Sequence, residues 1–255
     1  MIFSGIIFGE MLKEDYMEVT VREKVNIVIS DNQHEVVKTH ISVKDFAGEK
    51  KFVVKKPDKV IENKLFLFIK RSADIILSLI AILVFLIPGI LIAIAVAVSS
   101  KGPVIYSQKR LGKDGEEFDI YKFRTMVADA EKDGAVWAKK DDDRVTAIGA
   151  ILRKTHLDEV PQFWNILKGD MSFVGPRPER KVFYEEFETY IVGFSHRLYV
   201  KPGLTGWAQI NGGYELRPEE KVAWDVEYIE KQSLWLDFKC ICNTYKLIFG
   251  DDKAR

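Results

Sequence analysis

The chain has 255 residues, with 38 basic and 38 acidic side chains and no formal net charge. That length suits one large domain or two small ones, and the charge balance gives no support to a nucleic-acid binder, which would carry a basic excess. Cys240 and Cys242 are too few for a disulfide framework and too close for a comfortable bridge. They fit a reducing compartment and, lacking a second pair, read as ordinary residues of an apolar segment.

The N-terminal MIFSGIIFG is apolar but has no basic n-region and no clear cleavage site, so it makes a poor signal peptide. Residues 1–60 form an unassigned extension. VNIVIS and HEVVKTHISV alternate like short strands, and FVVKKPDK reads as a linker. Residues 61–100 are the membrane segment, because Ile75 to Val98 run 24 residues without a charge. As one straight helix they would reach roughly 36 Å, enough for a hydrocarbon core of about 30 Å. Pro88-Gly89 lies mid-run and predicts a kink. Basic residues flank both sides, from Lys50 to Arg71 upstream and from Lys101 to Lys113 downstream. That symmetry favours a re-entrant helix that breaks at Pro88 and returns, with a single kinked spanning helix as the alternative.

Residues 101–255 form the remaining domain, rich in Gly, Pro and Arg up to about residue 215, with helical patterns at 157–168 and in VFYEEFETYIV. No internal repeat and no βαβ alternation is present. The tail from Glu219 reads as largely helical. SLWLDFKCICNTYKLIF is too polar to span a membrane; it suits an interfacial helix or one packed on the core. The fold class is therefore α+β, mostly helical, with a broken membrane helix and a cytoplasmic domain carrying interfacial helices.

Asp158 and Glu159 stand side by side before Val160-Pro161. Leu157, Val160, Trp164 and Leu167 recur at steps of three and four, and Lys168-Gly169 supplies a stop, so the acids sit at or just before a helix N-terminus. A lone Asp there is usually an N-cap. Three arginines in turn-rich contexts change that reading: Arg124 after YKF, Arg153, and Arg177 between Pro176 and Pro178. The planar guanidinium suits phosphate. An acid pair at a phosphate site commonly holds Mg²⁺, here through Asp158 and Glu159, and leaves one carboxylate to attack phosphorus.

SxGPVIYSQKRLGKDGxxFxIYKFRTM, LRKTHLDEVPQFWNILKGDMSFVGPRPE and VKPGLTGWAQING, with KRxxD at Lys70, Arg71 and Asp74, together resemble the bacterial sugar transferase family, the monotopic phosphoglycosyl transferases. The resemblance covers residues 64 to about 245. It implies a re-entrant helix in the bacterial inner membrane and a catalytic domain facing the cytoplasm. It also implies a ping-pong reaction. Asp158 would attack the phosphate of a UDP-sugar, glucose or galactose by resemblance, release UMP, and pass the phosphosugar to undecaprenyl phosphate. That is the first membrane step of exopolysaccharide, capsule or O-antigen assembly. By the same match Glu159 neighbours the Mg²⁺, Arg124, Arg153 and Arg177 contact phosphate, and Pro176 and Pro178 shape the Arg177 loop. Smaller family members often carry Arg after the Asn-Gly that follows GWAQ. Here Gly213 follows Asn211-Gly212, and Arg217 is the candidate substrate contact.

Two other readings compete. A metal-dependent glycosyltransferase would use Asp141-Asp142-Asp143 and release UDP, although a solvated acidic turn before Arg144 explains that run more simply. A non-catalytic membrane scaffold of a polysaccharide assembly complex would tolerate Asp158→Asn. A carboxylate nucleophile needs no base in its first step, so His156 is structural. A homodimer is compatible with the sequence, but no feature demands one.

Overall fold

The computed structural model describes residues 36, 39–46, 48–127, 130, 142–212 and 216–249, with backbone only for 245–249. The N-terminal MIFSGIIFG, VNIVIS, Asp141 and Gly213 lie outside the described residues.

The first helix, α1 (Lys64–Val84), opens on Asn63, whose side-chain oxygen accepts from the Leu65 and Phe66 amides at 3.0 and 3.2 Å. Those are two of the donors that a helix start leaves without a partner. A second helix, α2 (Leu86–Ser99), follows after a bend of 61°. The break expected at Pro88 falls three residues earlier, at Phe85. Proline has no N–H to give the Val84 carbonyl, and its ring crowds that oxygen, so α1 ends at Val84 and Pro88 sits in the first turn of α2. The ladder resumes at once with the Gly89 amide on Phe85 O at 2.7 Å. No single described helix is long and apolar enough to cross a membrane, but the bent pair passes that test together. Its outer surface is bare hydrocarbon: Phe68, Leu83, Ile87 and Val98 are 70–83 % exposed.

The inner face of α1 is polar. Lys70, Arg71 and Asp74 project from one side of the helix onto the rest of the chain. Lys70 Nζ meets Asp237 at 2.6 Å and Val174 O at 3.1 Å. Asp74 accepts from the Phe173 amide at 3.0 Å and Ser172 Oγ at 3.1 Å.

Among the described residues the remainder is a mostly helical α+β arrangement around three small sheets. Strands β1 (Ile41–Phe46) and β2 (Glu49–Val54) form an antiparallel hairpin, so the expected linker FVVKKPDK begins as strand. The hairpin packs on the rest of the chain. β2 runs parallel to β6 (Ile191–Val192), and Ile41 packs on Ala223. Strands β3 (Ile105–Leu111) and β4 (Glu117–Phe123) pair antiparallel through a Lys113–Gly115 turn. There Asp114 and Gly115 take positive φ, the Asp-Gly turn signal that the sequence reading passed over. Strand β5 (Ser172–Val174) lies parallel to β7 (Gly203–Thr205). Their backbones nearly touch, and a Cβ on Gly203 would stand 2.1 Å from Gly175 N, so both positions need glycine.

Helices α3 (Ala147–Lys154), α4 (Gln162–Lys168), α5 (Lys181–Glu188) and α6 (Trp207–Gly212) are short. The expected VFYEEFETYIV helix ends at Glu188, and its Ile191-Val192 become strand. The tail is helical as expected, in α7 (Pro218–Lys231) and α8 (Leu234–Phe249). The main aromatic core joins α5 to the segment before β7. Phe194 meets Tyr184 and Phe187 edge-on, with ring centroids 5.1 and 5.0 Å away. On α8, Trp235 and Phe238 stack on one another while mostly exposed.

Candidate active site

The two acids do not open a helix directly. They lie in a 3₁₀ turn, Leu157–Glu159, and α4 begins only at Gln162 with Pro161 as its N-cap. His156 takes φ 54°, the left-handed conformation that ends α3 and turns the chain toward the acids. The expected apolar stripe also fails in part. Trp164 is 57 % exposed, while Gln162, Asn165 and Ile166 are buried. Asn165 explains this orientation, because its side chain pins β4 through Asp119 O (2.7 Å) and the Tyr121 amide (3.0 Å).

Asp158 and Glu159 are each 7 % exposed. Two like charges buried together need cations. Lys122 Nζ and Arg177 Nη2 both reach Glu159 Oε1 at 2.6 Å, and Lys122 Nζ stands 3.9 Å from Asp158 Oδ2. Burial alone would raise the Glu159 pKa, but Arg177 and Lys122 outweigh it and hold this carboxyl well below the usual range. Burial raises Asp158, Lys122 partly offsets that, and the neighbouring Glu159 charge adds to the rise. The pair is thus differentiated. Glu159 is the fixed anion, and Asp158 is the more basic carboxylate, with no hydrogen bond among the described residues.

Lys122 escaped the sequence reading. The signal was there: on β4 it continues the every-second-residue register of buried Phe118 and Ile120, a position where a lysine needs an acid. Arg177 lies on a loop whose Pro176 and Pro178 are buried. Arg153 ends α3 half-buried, its Nε on Thr125 Oγ1 at 2.9 Å.

Two expected phosphate or substrate contacts are differently employed. Arg124 is 6 % exposed and staples the end of α2. It donates to Val96 O at 3.1 Å, to Ser100 O at 2.6 Å and Ser100 Oγ at 3.0 Å, and also to Pro103 O. A helix C-terminus leaves carbonyls without donors and carries partial negative charge, so a guanidinium suits it well. Arg217 caps α7 and bends back onto Glu219 and Glu220 at 3.1 and 3.3 Å. Each turns to its own helix end.

Among the described residues no group of three or more His, Cys, Asp or Glu is placed to hold a metal ion. The acid pair still suits Mg²⁺, which accepts one or two carboxylates and fills its remaining positions with water and substrate phosphate. Asp158 has both oxygens unbonded among the described residues, and Glu159 uses only Oε1. The acidic run near residue 142 is different. Arg144 forks onto Asp142 at 2.7 and 2.6 Å and pulls its pKa down to about 2. Asp142 is thereby a turn anchor, with its side chain 7 % exposed under that guanidinium where the sequence suggested a solvated acid.

A buried acid pair lies under a lysine and a loop arginine, in the same chain as a bent apolar helix pair that passes the length and composition test for a broken membrane span. The chain belongs to the bacterial sugar transferase family, whose model matches residues 65–251. It is 40% identical over 199 residues to the UDP-N-acetylgalactosamine-undecaprenyl-phosphate N-acetylgalactosaminephosphotransferase of Aeromonas hydrophila, covering 77% of this chain and 47% of that protein. It is 44% identical over 186 residues to the UDP-glucose:undecaprenyl-phosphate glucose-1-phosphate transferase of Klebsiella pneumoniae, covering 70% and 40%. With the undecaprenyl-phosphate galactose phosphotransferase of Salmonella typhimurium it shares 37% identity over 202 residues, covering 73% and 42%. The chain spans less than half the length of these three relatives.

Proposed function

We propose that this protein transfers a sugar 1-phosphate from a UDP-sugar to undecaprenyl phosphate, releasing UMP, at the start of polysaccharide assembly. The observation that carries the reading is the division of labour within the acid pair: Glu159 takes both cations at 2.6 Å, while Asp158 is buried with Lys122 at 3.9 Å and no hydrogen bond among the described residues. In the first step an Asp158 oxygen attacks the sugar-bearing phosphorus. The new O–P bond forms as the bond to UMP breaks, and the phosphosugar stays on the enzyme as an acyl phosphate. A phosphate oxygen of the lipid then attacks the same phosphorus and returns Asp158 as a carboxylate.

Lys122 and Arg177, shared with Glu159, turn toward the added negative charge, and Arg153 is kept as a further phosphate contact on the resemblance alone. Mg²⁺ bound by Asp158 and Glu159 would neutralise charge on the diphosphate. The donor is a hexose or N-acetylhexosamine. Glucose and galactose are the sequence expectation, and the Aeromonas relative's name adds N-acetylgalactosamine.

The membrane part of the reading has separate support. The bent pair α1–α2 has a bare apolar surface and basic flanks on both sides, which suits entry and return through one leaflet with the acids on the cytoplasmic side. Exposed Trp235 and Phe238 of α8 and Trp164 of α4 suit a lipid interface.

The test is intact mass of the detergent-solubilised protein after exposure to a panel of UDP-sugars with Mg²⁺ and no lipid, beside Asp158→Asn. The expected result is a gain of one sugar phosphate with one donor class, absent from Asp158→Asn. UMP release that needs lipid and leaves no adduct would sink the covalent mechanism; UDP as product would sink the reaction.

A further inference from the structure

Arg177 owes its position to its loop, and the loop is held by its carbonyls. From Pro176 to Glu179 each is taken by a donor from elsewhere. The Gly203 amide bonds Pro176 O at 2.9 Å, Arg197 Nη2 bonds Arg177 O at 3.0 Å, Arg110 Nη1 bonds Pro178 O at 3.3 Å, and the Leu111 amide bonds Glu179 O at 3.0 Å. Two of these donors are arginines, each with an acid of its own. Arg110 meets Glu179 at 3.0 Å, and Arg197 meets Asp225 of α7 at 2.7 Å.

The Arg197–Asp225 pair is the deeper one, with both side chains 2 % exposed. Among the described residues Arg197 Nε and Nη1 have no acceptor. The guanidinium lies instead over the rings of Phe194 and Tyr184, 5.0 and 6.0 Å from their centroids. As a source of stability such a pair is poorly spent, since apolar side chains of similar volume commonly serve as well. What they would not supply is a charged donor on the backbone of Arg177.

We infer that Arg197, with Asp225 behind it, is a positioning residue that sets the reach of Arg177 toward Glu159 and the substrate phosphate. This rests on the proposal that Arg177 meets that phosphate. The chain of contact is short: α7 fixes Asp225, Asp225 orients Arg197, and Arg197 holds the Arg177 carbonyl. Arg177 then spans from that anchored backbone to Glu159 at 2.6 Å.

The test replaces the pair by apolar groups, Arg197→Met with Asp225→Leu, and in parallel makes Arg197→Lys, which keeps the charge but loses the fork. Thermal unfolding identifies which variants fold. The first readout is hydrogen exchange of peptides spanning 175–179 and 200–206. Loss of one charge-assisted bond on the loop should speed exchange there by about tenfold or more. The second is the kinetics of UMP release. A displaced Arg177 should lower kcat by on the order of 10²-fold with KM little changed. In an Arg177→Ala background the same change should cost no more than about twofold, because the two side chains act through one contact.

Unchanged exchange in a folded variant would overturn the inference. So would rate losses that multiply in the Arg177→Ala background. A parent protein that releases no UMP with any donor would instead refute the phosphotransfer reading, and the exchange measurement would still decide whether Arg197 holds the loop.

Discussion

Arg124 provides the sharpest separation between a structural and a catalytic arginine. Arg124→Met keeps most of the side-chain volume and removes the guanidinium. The bonds lost are those to Val96 O, Ser100 O, Ser100 Oγ and Pro103 O. They do not cost equally. Val96 O keeps a bond from Ser99 Oγ at 2.9 Å, and Pro103 is exposed, so water replaces that donor. Ser100 is half-buried and loses most. One to two charge-assisted bonds at about 1.5–3 kcal/mol each, less the relief of no longer burying a charge, leave a loss of about 2–3 kcal/mol. For a chain of this size that lowers the unfolding midpoint by roughly 4–12 °C. The assay is thermal unfolding in detergent, with UMP release normalised to folded protein. The staple predicts a lower midpoint and nearly unchanged activity per folded molecule. An unchanged midpoint with activity down on the order of 10²–10³-fold would refute it and return Arg124 to the phosphate.

Two further predictions concern the histidines. His156→Asn should fold and release UMP near the parent rate, because asparagine tolerates the left-handed turn at this position; a loss on the order of 10²-fold in UMP release would reveal a missing acid or base. His196 is half-buried beside Lys56 and held neutral: desolvation first, then that lysine, bring its pKa down from 6.5 to about 4. The unfolded chain therefore takes up this proton before the folded one does, so stability is lost as pH falls from about 6.5 toward 4, by up to about 3 kcal/mol. Denaturation of the parent and of His196→Gln across that range should show the difference between them shrinking with acid; parallel curves would refute the assignment.

The apolar run, its bend and the acid pair were all legible in the sequence, because each is a local pattern: hydrocarbon without charge, proline mid-run, adjacent carboxylates ahead of a proline. What was not legible depends on the third dimension. The Arg-Gly-Pro-rich composition marked a phosphate-suited region, but it could not tell Arg177, whose tip meets Glu159, from Arg124, whose tip is taken by the end of α2. Local sequence gives both the same chemistry, and only the neighbouring chain decides which carbonyls need a donor. Trp164 misled for a related reason. Helical spacing places it on a stripe with Leu157 and Val160, yet the need of β4 for Asn165 turns the other side of α4 inward. The β1–β2 hairpin was half visible, its strand character clear in ISV and its second strand hidden by the lysines of KKFVVKK. Lys122 was the most recoverable omission, since a charge in the buried register of a strand always asks for a counter-charge.

Under the proposed function, helix α4 joins two parts of the molecule that face different solvents. Arg71, on the apolar helix α1, holds its last carbonyls at Ile166 and Leu167, at 2.6 and 2.7 Å, while the acids stand just ahead of its first residue. Its seven residues make a rigid strut about 10 Å long. Asp158 is therefore carried at a set altitude above whatever depth α1 occupies. The proposed water-borne donor can approach that point from any direction. The proposed lipid acceptor, whose tail never leaves the hydrocarbon, arrives at a single level, so the depth of α1 would tune which lipid phosphates come within reach.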